Sequence, residues 1–173
     1  ETRATRQFLY VMANPPSVNA DDSRADKIGD VAAVPSGGLL VVERDDDALP
    51  EDPIETITKK IYSFKLEGAT DVSSLGSFDI GGVLKSVDQM TEAELAAVGV
   101  APVAKTLHVD LAAAGYASVE KVEGLTVLDN GQLALVNDND FGVAGIVIDN
   151  ATGKFTLAPG YQPENVTLGL LKT

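Results

Sequence analysis

Residues 27–46 align without a gap on residues 121–140. Lys27 stands against Lys121, Gly37 against Gly131, Val42 against Val136 and Asp46 against Asp140. Each copy reads as a short apolar strand, a polar glycine turn, a second apolar strand and a closing burst of acids and amides. A repeated strand pair is the signature of a propeller or solenoid, in which each unit buries its face only against its neighbours. The acidic burst falls at the same place in both copies, so oxygen ligands are expected at the ends of the repeated strands.

The remaining chain fits that frame. Residues 6–12 alternate as a strand. Val31 to Val34 and Leu39 to Glu43 form a hairpin joined through residues 35–38, whose glycines suit a tight turn. Residues 45–53 read as an acidic, proline-bearing loop, and residues 60–66 resume strand alternation. One helix is expected over 88–99, with Thr91 as N-cap, acids in the first turn and Gly99 as the stop. Strands follow over 105–111, Leu125 to Leu128, Leu133 to Val136, Gly145 to Asp149 and Lys154 to Leu157. The two copies stand 94 residues apart, about twice an ordinary four-stranded blade of roughly 40 to 50 residues. The acidic loop and the helix account for the excess as insertions. The fold class is therefore all-β. About two blades of a β-propeller are expected, each a four-stranded antiparallel unit, one spanning 27–111 with the helical insertion and one spanning 121–170. Propellers need four to eight blades, so the chain reads as a fragment of a larger ring. The alternative is a self-contained sandwich of eight or nine strands.

Composition narrows the chemistry. The net charge of −13 argues against a nucleic-acid partner, because phosphate backbones are held by surplus Lys and Arg. Clustered carboxylates favour cations instead. Zero cysteines remove thiolate metal sites and cysteine nucleophiles. No apolar run approaches the roughly 18 to 20 residues of a membrane span. The chain starts at Glu1 without an initiator Met, as a processed or trimmed product would. Asn150 and Asn165 head Asn-x-Thr sequons, which matter only in a glycosylating host.

Several segments together resemble a known family. They are residues 27–30, residues 40–45, Ile61 and Tyr62 with residues 66–71, residues 123–128 and residues 135–142, of which Val136 to Gly142 is the most specific part. They are similar to the phytase-like domain of bacterial exported proteins described by esterase-like activity of the phytase family, over about Phe8 to Gly142. That resemblance implies a β-propeller exported to the periplasm, the cell surface or the medium and frequently fused to other extracellular domains. Its members continue beyond residues 167–170, which supports reading this chain, residues 1–173, as a fragment, expected to come from the C-terminal portion of such a propeller. The single histidine, His108, lacks the Arg-His-Gly-x-Arg setting of a histidine acid phosphatase, and the calcium-site signatures of alkaline β-propeller phytases are absent.

In a propeller the inner strands line a channel where their ends converge. Calcium takes six to eight hard oxygen ligands. Glu123, Asn137, Asp138, Asn139 and Asp140 supply such a set in the second copy, and Asp30, Glu43, Asp45 and Asp46 are its counterparts in the first. Glu123 before Gly124 also resembles the channel-facing Glu-Gly of gluconolactonase-type propellers, where the glutamate binds the metal. Asn and Asp runs equally build ordinary turns, and for Asp45 to Asp47 a solvated loop is the simpler reading. Lys27, Arg44 and Lys121 would hold a substrate phosphate if they face the channel; otherwise they pair with neighbouring acids. No Gly-x-Ser-x-Gly elbow exists, and His108 sits in strand alternation as a packing or outer-face residue. Hydrolysis would therefore run through calcium-activated water on a small phosphorylated substrate. The rival expectation is a non-catalytic calcium-binding module of an extracellular assembly. Either way the partners expected are the remaining blades or another protein chain.

Overall fold

The structure is a computed structural model, and it describes residues 5–13, 27–139, 146–157 and 166–172. The chain is all-β with few helical turns. Its first sheet joins β1 (Lys27–Ala33), β2 (Leu39–Arg44), β3 (Lys59–Phe64) and β6 (Lys105–Asp110) in that spatial order, every pair antiparallel. Its second sheet places β8 (Leu133–Asn137) between β7 (Val122–Val127) and β11 (Leu168–Leu171). A separate hairpin, β9 (Ile146–Asp149) with β10 (Lys154–Leu157), is inserted between β8 and β11. Among the described residues this second unit therefore has three strands and an inserted hairpin, where four strands were expected. No helix of the described residues is long and apolar enough to cross a membrane.

The repeat is preserved down to single hydrogen bonds. In the first turn the Val34 amide donates to the Gly38 carbonyl and the Gly37 amide to that of Val34. In the second the Leu128 amide donates to Gln132 and the Gly131 amide to Leu128, the same pattern shifted by one repeat. Gly37 and Gly131 hold φ of 86° and 81°, a left-handed geometry that glycine adopts without strain. Each first strand also carries a β-bulge beginning at the same repeat position, Ile28 in β1 and Val122 in β7.

The core lies between the two sheets. Leu40, Val42, Ile61 and Leu111 of the first unit pack on Val122, Leu125, Leu133 and Leu135 of the second. Each such side chain contributes roughly 1.5–3 kcal/mol on full burial. The first strands lie alongside one another. A Cβ built on Gly29 would stand 2.1 Å from the Val122 carbonyl oxygen, so only glycine allows that approach.

Residues 65–104 fill the connection from β3 to β6. They hold a small hairpin of β4 (Phe78–Ile80) and β5 (Val83–Lys85), a 3-10 turn at Val87–Gln89 and helix α1 (Glu92–Ala97). The helix is shorter than expected because Thr91 is extended, with ψ of 161°, and caps α1 rather than continuing a helix from Asp88. The Glu94 amide donates to Thr91 Oγ1, and the Thr91 amide donates to Glu94 Oε2 in return, a reciprocal capping box. Val72, Leu95 and Val100 form a second small core there. Residues 5–13 do not pair as the strand their alternation suggested. They lie as a strap whose carbonyls accept from Val72 and Val103 through Gln7 and Leu9.

Candidate functional site where the repeat copies meet

Strand alternation places Glu43 and Arg44 on opposite faces of the central strand β2. On the face toward the second unit, the Arg44 guanidinium donates to Glu123 of β7 and to Asp46, and Lys27 of β1 donates to the other oxygen of Asp46. Arg44 also reaches the Asp45 carbonyl at 3.3 Å. Asp30 bridges β1 to β7. Its Oδ2 accepts from the Leu125 amide at 2.7 Å while Oδ1 accepts from Val31. The charged ends of both copies thus close on one another: Lys27, Asp30, Arg44 and Asp46 of the first with Glu123 of the second.

Behind this belt sits a buried pair. Lys59, directly across from Arg44 on β3, is 0% exposed and donates to Asp45 Oδ1 at 3.4 Å and to the Asp47 carbonyl. Burial pushes the Asp45 carboxyl up, and the Thr58 amide and Lys59 only partly offset that. Asp46 is different. Burial would raise it too, but hydrogen bonds from Lys27 and Arg44 outweigh that and hold its carboxyl below the usual range. Asp45 was expected in a solvated loop. It is buried beside Lys59, a fully buried strand lysine that needs a counter-charge.

Glu43 is not in the belt. On the opposite face it accepts from the Tyr10 hydroxyl at 2.6 Å, the Ala13 amide at 2.9 Å and the Lys105 ammonium. Lys105 also lies 4.4 Å from the Tyr10 ring centroid and 4.5 Å from that of Tyr62. Burial, reinforced by Glu43, pushes the Tyr10 hydroxyl far up, so it stays protonated as a donor. Lys59, Lys105 and Tyr10 were not singled out from the sequence. Lys59 and Lys105 each stand at the first position of their strand, where a lysine reads as an ordinary solvated end.

In the second copy, Asn137 Oδ1 accepts from the Thr167 amide at 2.7 Å and its Nδ2 donates to the Asp138 carbonyl. The Asp138 amide donates to the carbonyl of Lys121, which holds a positive φ of 44°. Asp138 is exposed, Asn139 is half-buried, and Asp140 lies outside the described residues. The donor chemistry of the run suits calcium, being all hard oxygen. Among the described residues, however, no three carboxylate or imidazole side chains converge as a metal-ligand group. The belt is therefore built from ion pairs. A phosphate reaching Lys27 and Arg44 would compete with Asp46, whose carboxylate is half-exposed.

At the turn ends of the two hairpins lies an open cleft of about 790 Å³. Phe64, Val127 and Leu133 supply its apolar lining, and Ser63, Asp129 and the exposed His108 border it.

No curated protein and no solved structure matches the chain. A family model described as "Phytase-like: Esterase-like activity of phytase" matches residues 1–141.

Proposed function

The chain belongs to the phytase-like family, and on that footing we propose that it is part of an exported β-propeller that hydrolyses esters of small phosphorylated molecules. One observation supports this beyond the family. The polar ends of two repeat copies meet, Arg44 of one against Glu123 of the other, at the strand ends where a propeller gathers its channel residues. Glu123, Asn137, Asp138, Asn139 and Asp140 would hold calcium, with Asp30 and Asp46 close to the same belt and Glu43 outside it. Bound there, calcium would supply a polarised water and offset charge on the phosphate. Lys27 and Arg44 orient the substrate phosphate as Asp46 yields them, with Lys121 at the rim.

The test uses the complete propeller protein with p-nitrophenyl phosphate, before and after chelation. The expected result is calcium-dependent hydrolysis and a calcium-dependent heat in calorimetry. Asp138→Ala and Asp140→Ala should weaken both. Absence of both signals, with these variants indistinguishable from wild type, overturns the assignment.

A second reading is favoured by the pairing of Lys27 and Arg44 with acids within the chain. In it the propeller is a non-catalytic binding or structural module of an extracellular or cell-surface assembly. Calcium heat without ester turnover would select it.

A further inference from the structure

The contact between the two units joins unlike faces of the same repeat. The first unit offers Leu40, Val42 and Ile61; the second answers with Leu125, Leu133 and Leu135. By the repeat alignment Leu133 and Leu135 correspond to Leu39 and Val41, which lie on the other face of β2. The packing is therefore head-to-tail, and a head-to-tail contact leaves its unused face ready to repeat.

That unused face is present on the second unit. Ala134 and Val136 correspond to Leu40 and Val42. Leu168 pairs with Val136 as Ile61 pairs with Val42. Val42 and Ile61 are each 0% exposed, whereas Val136 is 37%, Leu168 72% and Leu170 58% exposed. Apolar side chains that one copy seals away stand open in the other.

We infer that the face formed by Val136, Leu168 and Leu170 docks a further unit of the same repeat, a β-sheet presenting a face of the Leu133 and Leu135 kind. A second copy of this chain does not fit. Its second unit already uses that face internally. In its first unit the matching face of β2 is covered, with Val41 and Glu43 buried, Tyr10 bonded to Glu43 and the Tyr10 ring 5.3 Å from that of Phe64. The inference deepens the propeller reading and stands apart from ester hydrolysis, so its failure and that of catalysis are read by different measurements.

The chain has no cysteine, so single thiols report cleanly. Leu168→Cys and Leu170→Cys are the probes, and Leu107→Cys on β6 is the exposed control. Each is placed in the 173-residue chain and in a tandem form, where a Gly/Ser linker adds a second copy of residues 111–172. Alkylation at 168 and 170 should slow by about tenfold or more in the tandem form, as burial behind a contact of at least 1.4 kcal/mol requires, with 107 unchanged. Val136→Lys in the first copy should restore the faster rate. Equal rates in both forms overturn the proposal. So does protection that grows with concentration in the single chain, because the occupant would then be a second copy. If Leu168→Cys does not fold, Leu170→Cys carries the same comparison.

Discussion

Val42 and Val136 hold the same position of the repeat, yet the first is sealed between two sheets and the second is 37% exposed. The polar residues diverge in the same way. Asp45 is buried against Lys59, while its counterpart Asn139 carries no charge at all. The two hairpins share turn, bulge and pairing, so the local sequence suffices to build the unit. What differs is the surroundings. Among the described residues, the first unit has a sheet on one face and a strap across the other, and the second has a sheet on one face only. Burial, and with it the energetic weight of a residue, is set by the neighbours rather than by the repeat.

The sharpest way to break this comparison is the buried pair. Asp45→Ala takes a carboxylate partner from the buried Lys59 ammonium, and should cost about 3–5 kcal/mol. Asn139→Ala should cost about 1 kcal/mol or less. Denaturant titration of both variants decides the matter, and equal losses would mean the two sites are energetically alike.

A smaller contrast comes from the core. Val42→Ala should cost about 2 kcal/mol through lost burial and an uncollapsed cavity. Val136→Ala should stay within about 0.5 kcal/mol, as exposed substitutions do. Similar losses at the two sites, read from thermal unfolding, would show that Val136 is covered in solution.

The turns should show no contrast. Gly37→Val and Gly131→Val each force a β-branched residue to positive φ in open space, for about 1–2 kcal/mol of strain. Costs differing by more than measurement error would break the equivalence of the hairpins.

The smallest effect is on pH dependence. Asp46 has a lowered carboxyl in the folded state, so the unfolded chain binds the proton more readily. Its contribution is complete above the ordinary aspartate value of about 3.9 and is lost as pH falls through the lowered folded value. Asp46→Asn should flatten the acid side of the stability profile, and a profile unchanged between neutral and acid pH counts against the Lys27 and Arg44 pairing.

Much of the fold was legible because its signals are local. Alternation placed β2, β3 and β6, the glycine turns placed both hairpins, and Thr91 marked the start of α1. The strap over residues 5–13 was misread since alternation cannot tell a paired strand from an extended segment bonded to loops. The β4–β5 hairpin was missed because three-residue strands are too short for a period to show. For the site, the residue types were readable and their partners were not. Arg44 meets Glu123 only because β1 and β7 lie side by side, a contact spanning 79 positions that no local pattern encodes. Glu43, one residue away, went to the other face for the reason alternation gives, and Lys105 then held it there.

The paired bulges have a mechanical consequence. A bulge bends its strand, and here two bends begin at the same repeat position in strands whose backbones touch at Gly29 and Val122. Such nested kinks act as a detent. Sliding one hairpin along the other by a single residue would drive the Asp30 side chain toward the place that only a glycine can occupy beside a carbonyl. Shear along the strands therefore meets resistance that a flat apolar interface lacks, and the two hairpins keep their lengthwise alignment.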